Sequence, residues 1–250
     1  MATALITGAT SGIGLEIAQI LAKKYDLFLV SRDKKKLELL KKSLEAEHNH
    51  TVHVMSIDLS KKNAAQKVFA RAKRLSIDVL INNAGFGVSG ESVDADSSKV
   101  SAMLHLNILT LTELSALFGQ QMKAEKAGYI LNVASIAAFQ PVPYLASYSA
   151  SKSYVLNYTE ALAKELEEYS VHVTCLCPGV TSTNFYTAMG SKTKGGSPRE
   201  VAIAGITALF NQKMTVVPGF KNKLRIYIER LLPRAIIAML SKKVMRKGMK

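Results

Sequence analysis

The chain has no tryptophan, only six prolines and two cysteines in 250 residues, and 19 acids against 33 bases. Each scarcity removes a class of explanation. Two thiols cannot build a disulfide framework, and Cys175 and Cys177, two apart on an extended strand, share a face without the geometry to pair, so both read as buried small apolar groups. With no second pair of ligands beside them, no metal site is expected. No run approaches the roughly twenty consecutive apolar residues that a spanning helix needs. The start, MATALITG, has no charged segment, apolar core and cleavage site of a secretory signal, so a cytoplasmic location is expected.

What is present is a regular alternation. Up to about residue 217, short apolar runs alternate with longer segments of helical period, the signature of a parallel sheet covered on both faces. The strands fall at Ala4 to Thr7, Leu27 to Ser31, Val52 to Ile57, Val79 to Asn82, Tyr129 to Ala134, Val171 to Cys177 and Thr215 to Val217. Helices are expected over Gly12 to Lys24, where Ile13, Ile17, Ile20 and Leu21 share a face, and over Tyr148 to Glu168. Seven such strands predict an α/β, Rossmann-type doubly wound sheet. The catalytic unit spans residues 1–220 without repeat or linker, and residues 221–250 form a basic extension of it. The segments Phe86 to Asp96 and Thr181 to Ser197 break the pattern after strands, where ligands bind in open parallel sheets.

TGATSGIG, from Thr7 to Gly14, lies between the first strand and the first helix. A glycine at 8 permits a tight turn, and glycines at 12 and 14 let backbone and helix approach closely, so that amides of Ser11 to Ile13 can face a pyrophosphate. Its spacing is GxxxGxG rather than GxGxxG, and alone it is equally an ordinary glycine-rich turn. Further along, Tyr148 and Lys152 stand four apart, on one face of a helix at successive turns. A phenol, with an ordinary pKa of about 10, is a poor proton donor or acceptor at neutral pH unless an ammonium nearby stabilises its anion. A lone pair of this kind is usually a surface contact.

Taken in order, TGATSGIG, Asp58-Leu59, NNAG from Asn82, Asn107, Ser135, YSASK from Tyr148 to Lys152 and PGVTST from Pro178 resemble the short-chain dehydrogenase/reductase family in its compact form, over about residues 3 to 185. The resemblance implies an oxidoreductase that moves a hydride between a nicotinamide cofactor and a carbonyl or alcohol. Tyr148 would exchange the proton, Lys152 would favour its anion and hold the nicotinamide ribose, Ser135 would bind the substrate carbonyl, and Asn107 would hold a water of the relay. Gly8, Thr10, Ser11, Gly12, Ile13 and Gly14 would meet the pyrophosphate. Asp58 and Leu59 would lie at the adenine, Asn82, Ala84 and Gly85 along the adenosine and ribose, and Pro178, Gly179, Val180 and Thr181 near the carboxamide. At the second strand's end, Ser31 and Arg32 look like the NADP version, with NAD the less expected cofactor, while Asp33 caps the helix that starts at Lys34. The rival reading is a noncatalytic cofactor-sensing or membrane-associated scaffold that kept the fold.

Around the reacting centre, Ile136, Ala138, Phe139, Pro141, Val142 and Tyr144, with Phe185, Tyr186 and Met189 opposite, predict an apolar carbonyl or alcohol substrate such as a ketone or 3-oxoacyl compound. Several of these residues are equally core. Helices around residues 100 to 123 and 148 to 168 are expected to form a homodimer, with a tetramer left open. Residues 221 to 250 carry ten bases and one acid, +9 of the total +14. An apolar stripe through Leu224, Tyr227, Ile228, Leu231 and Leu232, interrupted at Pro233 and continued by Ile236, Ile237, Leu240 and Val244, runs beside those bases. Such a segment reads either as an interfacial helix on anionic lipid, peripheral on a membrane's inner face, or as helices packed over the substrate loop or a subunit interface. No nucleic-acid module accompanies the charge, and no nucleic acid is expected as a partner.

Overall fold

In a computed structural model that describes residues 2–183, 185 and 195–248, with side chains to residue 246, the apolar runs become the strands of one sheet. They are β1 (Thr3–Thr7), β2 (Asp26–Ser31), β3 (Val52–Ser56), β4 (Ile77–Asn82), β5 (Gly128–Val133), β6 (Val171–Leu176) and β7 (Thr215–Val216). Every pairing is parallel, in the order β3-β2-β1-β4-β5-β6-β7. The order reverses between β1 and β4, which opens a crevice at their carboxyl ends. Strand alternation then sorts the core into two layers. Ile6, Leu29 and Ile81 pack on one face with Ile17, Leu21 and Leu209. Leu5, Phe28 and Leu80 pack on the other with Phe118, Met122 and Leu166.

The helices that supply those layers are α1 (Gly12–Leu21), α2 (Lys34–Glu47), α3 (Ala64–Ala72), α4 (Ser97–Leu104), α5 (Leu111–Glu125), α6 (Ala146–Leu166) and α7 (Pro198–Phe210). The first helix stops three residues short of the expected Lys24, because the amides of Lys24 and Tyr25 both turn back to Leu21 O and close the end. Asp33 caps α2 as expected, its Oδ1 accepting from Lys36 N at 3.0 Å. A π turn, His105–Thr110, joins α4 to α5, so the helical stretch runs unbroken from Ser97 to Glu125. That stretch is long and apolar enough to cross a membrane, but Met103, Leu114, Phe118 and Met122 are buried in the core of the fold.

Beyond β7 the chain forms α8 (Phe220–Leu231) and α9 (Arg234–Gly248), with Pro233 between them. Ile226 on α8 and Ile237 and Ser241 on α9 are buried, so both helices dock on the body. Arg230 of α8 lies over the Phe139 ring at 5.9 Å, and Arg246 of α9 donates from Nε to Tyr144 OH at 2.8 Å. Both contacts fall on the segment that follows β5. Cys175 and Cys177 are free and buried, their sulfurs 3.7 Å apart.

Candidate active site

A cleft of about 520 Å³ runs along the carboxyl ends of β1, β2, β4 and β5, within the usual range for a small-molecule or cofactor site. One end is the β1–α1 turn. Gly8 and Gly12 have φ of +67° and +55°, a region costly for side chains with a Cβ, and a Cβ on Gly12 would lie 2.8 Å from Thr183 Cγ2. Thr10, Ser11, Gly12 and Ile13 line the cleft there, beside the start of α1. Ser11, Gly12 and Ile13, whose amides have no partner within the helix, and the positive end of a ten-residue helix therefore lie at the opening. Next to them Thr10 Oγ1 and Ser31 Oγ share a hydrogen bond of 2.8 Å, and Arg32 adds a guanidinium to the same lining.

Asp58 and Leu59 form the neighbouring wall. Burial raises the Asp58 carboxyl, but hydrogen bonds from the amide and hydroxyl of Ser60 outweigh it, and Arg32 and Lys61 help hold the group below its ordinary value. Asp58 also holds the turn that follows β3, since its Oδ1 accepts both bonds from Ser60. Across the cleft the β4 exit is held by Asn83, whose Nδ2 donates to Thr7 O at 2.9 Å and Gly8 O at 3.2 Å. Ala84 and Gly85 continue that wall.

At the far end Ser135, Tyr148 and Lys152 line the same cleft, each no more than 6% exposed. Ser135 caps the 3-10 turn Ile136–Phe139, and its Oγ accepts from Ala137 N at 3.1 Å, which leaves the hydroxyl proton to be donated outward. Tyr148 and Lys152 stand one turn apart on α6, the ammonium 5.8 Å from the phenol ring centroid. Lys152 Nζ donates to Val133 O at 2.8 Å. Burial pulls its ammonium down to about 8, against an opposing influence of Cys175 and Cys177. Asn107, in the π turn, lies behind Gly85: a Cβ there would be 3.0 Å from Asn107 Oδ1 and 3.6 Å from Lys152 Nζ. Its amide is clamped by Phe86 N, Phe86 O and Ser151 Oγ. Single π turns of this kind recur at functional sites.

The model of the short chain dehydrogenase family matches residues 2–194 of the chain. The chain belongs to the short-chain dehydrogenase/reductase family. An uncharacterized oxidoreductase of Staphylococcus saprophyticus is 32% identical over 212 residues, 82% of this dehydrogenase and 90% of its relative. A very-long-chain 3-oxoacyl-CoA reductase of Phaeosphaeria nodorum is 33% identical over 180 residues, 69% of this chain and 53% of the longer protein. Among solved structures, a short-chain dehydrogenase from Sphingobium yanoikuyae in complex with NADPH superposes with a TM-score of 0.83 at 27% identity, covering 94% of this chain and 98% of that one.

Within this short-chain dehydrogenase several expected residues stand elsewhere. Asn82 does not line the cleft: it is 3% exposed and donates to Ser115 Oγ and Asn132 Oδ1 inside the body, because strand alternation turns it away and gives the cleft position to Asn83. Gly14 acts from beneath, where a Cβ would collide with Asn83 Nδ2 and Gly8 O. Val180 is 39% exposed and outside the lining, its inward place taken by Thr181, whose Oγ1 donates to Gly179 O at 3.0 Å. Pro178 and Gly179 line the cleft.

The apolar wall is also redistributed. Val142 and Phe185 pack with Tyr148 as expected, whereas Ala138 and Phe139 join a core cluster with Val155, Cys175 and Cys177. Tyr186 and Met189 lie outside the described residues. The sequence reading missed Asn83, and it missed Met103, Phe86, Leu104, Leu145 and Met245, which complete the cluster around Tyr148. Period-2 alternation along β4 could have separated Asn83 from Asn82; nothing local to Met245 connects it with Tyr148. Among the described residues no cluster of three or more metal-ligating side chains occurs.

Proposed function

We propose that the protein is an NADPH-dependent reductase of apolar carbonyl compounds, working in reverse as an alcohol dehydrogenase. The observation that carries the reading is that Ser135, Tyr148 and Lys152 line one cleft with the β1–α1 turn and Arg32. The residues fit a dinucleotide: the α1 amides suit a pyrophosphate, Gly12 lets the turn pass close to Thr183 where a Cβ would collide, and Arg32 with Ser31 suits a 2′-phosphate. Asp33, a carboxylate that would favour NAD, accepts from the Lys36 amide at the start of α2 and lies 3.7 Å from Lys36 Nζ. NADPH is therefore favoured over NADH.

When bound, the cofactor supplies a hydride to the carbonyl carbon. Ser135 donates a hydrogen bond to the carbonyl oxygen and holds it toward Tyr148. Tyr148 gives its phenolic proton to that oxygen as negative charge builds there, leaving the alcohol. The Lys152 ammonium stabilises the phenolate left behind, and its remaining N–H groups suit the nicotinamide ribose. Asn107 steadies a water through which Tyr148 is reprotonated. A noncatalytic scaffold would have no use for this set, and the reading as an enzyme is preferred.

Met103, Val142, Phe86 and Phe185 around Tyr148 favour an apolar substrate, and a 3-oxoacyl chain fits their character. Residues 1–220 act as one catalytic domain with 221–250 packed on it. The remaining parts of the reading are a cytoplasmic protein with peripheral membrane contact on the inner face through 221–250, and a homodimer formed through α4–α5 and α6. The test is a screen of ketones, aldehydes and 3-oxoacyl thioesters followed at the cofactor's absorbance, with NADPH and NADH side by side. NADPH oxidation on apolar ketones is expected; no oxidation across the panel would overturn the reading.

A further inference from the structure

Sixteen large apolar side chains are exposed among the described residues, and nine of them lie between residues 220 and 244. On α8, Phe220, Leu224, Tyr227, Ile228 and Leu231 form one stripe on the side opposite Ile226, whose burial marks the face against the body. With about 100° of rotation per residue, Lys221 and Lys223 fall on the two borders of that stripe. On α9, Ile236, Met239, Leu240 and Val244 form a second exposed apolar stripe, with Lys243 within it, Lys242 on one border, and Ile237 and Ser241 turned inward. Glu229 is the one acid of the segment and is taken by Arg225 at 2.6 Å. Lys221, Lys223, Arg234, Lys242 and Lys243 meet no acid among the described residues.

An apolar stripe bordered by bases needs an occupant that is apolar within and anionic at its surface. A second copy would bring one +9 segment against another, and a nucleic acid would neutralise the bases but offer no medium for Leu231, Ile228 or Met239. We infer that α8 and α9 seat the protein on an anionic lipid bilayer, with the apolar stripes at the headgroup boundary and the bases against the headgroups.

The inner edge of the same pair reaches the reacting centre. Met245 packs into the cluster that holds Tyr148 and Phe185, and Arg246 is bonded to Tyr144. A substrate dissolved in the bilayer would therefore meet the pocket beside its lipid contact. This coupling rests on the reductase reading; the lipid contact does not.

The experiment is co-sedimentation of the full chain with phosphatidylcholine vesicles, with and without phosphatidylserine, at about 0.1 M and about 1 M salt. Binding is expected only with phosphatidylserine, at least tenfold weaker at the higher salt. Lys221→Glu with Lys223→Glu should weaken it more than tenfold, at about fivefold per base removed. Ile228→Glu should weaken it about tenfold, while ketone reduction without vesicles is unchanged in both variants. Equal sedimentation with phosphatidylcholine alone, or indifference to these substitutions, would overturn the inference. So would a dimer in sedimentation velocity that Ile228→Glu dissociates, since the stripe would then be a self-interface. Lost vesicle binding with intact ketone reduction removes only the lipid seat. Intact vesicle binding with no reduction of any substrate removes the reductase reading instead.

Discussion

Raising the pH of the cofactor-free protein should stabilise it through Lys152. This ammonium is 4% exposed, bonded to Val133 O, and held down at about 8 by burial. In the unfolded chain a lysine titrates at about 10.4. Between those two values the unfolded chain binds a proton that the folded chain does not, so unfolding becomes harder as pH rises through the window; below it the cost of the buried charge is carried in full. The gap is worth about 3 kcal/mol, at about 1.4 kcal/mol per pH unit. Urea unfolding from pH 7 to 10.5 on the wild type and on Lys152→Met isolates this contribution, because other tyrosines and thiols titrate in both proteins. The free-energy difference between the two should move by about 3 kcal/mol in the wild type's favour across the window. A difference that stays constant with pH would refute the reasoning.

Three further outcomes are expected. Arg32→Glu removes the guanidinium from the cleft and places a carboxylate there, so affinity for NADPH should fall about ten- to a hundredfold while that for NADH changes little, measured by cofactor titration. Gly14→Ala drives a methyl into Asn83 Nδ2 and Gly8 O; overpacking of about 2 kcal/mol should exceed the helical gain of about 1 kcal/mol and lower both the thermal midpoint and cofactor affinity. Asn132→Leu removes the acceptor of Ser115 Oγ and one of the two acceptors of Asn82 Nδ2 inside the body, which should cost about 2 kcal/mol in urea unfolding.

The sheet was legible because its central strands are buried on both faces: Leu27 to Val30 and Val79 to Ile81 are unbroken apolar runs at no more than 1% exposure, and such runs admit few alternatives. The reacting end was legible for a different reason. Tyr148 and Lys152 are adjacent through the helix period alone, and Asp33 announced its cap one residue before α2.

What stayed hidden depends on direction and distance. Asn82 and Asn83 are neighbours in sequence but face opposite environments, and only the end of β4 decides which one reaches the cleft. Ala138 and Phe139 lie in the 3-10 turn after Ser135 and fall back into the core. Tyr144 adopts φ of +66° and meets Arg246, 102 residues away, a contact that no local pattern encodes. Met245 reaches the Tyr148 cluster in the same way. The basic tail read as either a lipid helix or a packed helix, and its two faces accommodate both.

The most direct test of the central claim is the rate of NADPH oxidation by Tyr148→Phe on an apolar ketone that the wild type reduces, with cofactor binding measured in parallel. The account predicts a loss of at least about a hundredfold in kcat, the contribution of a positioned proton donor, with NADPH still bound. Turnover at the wild-type rate would contradict it.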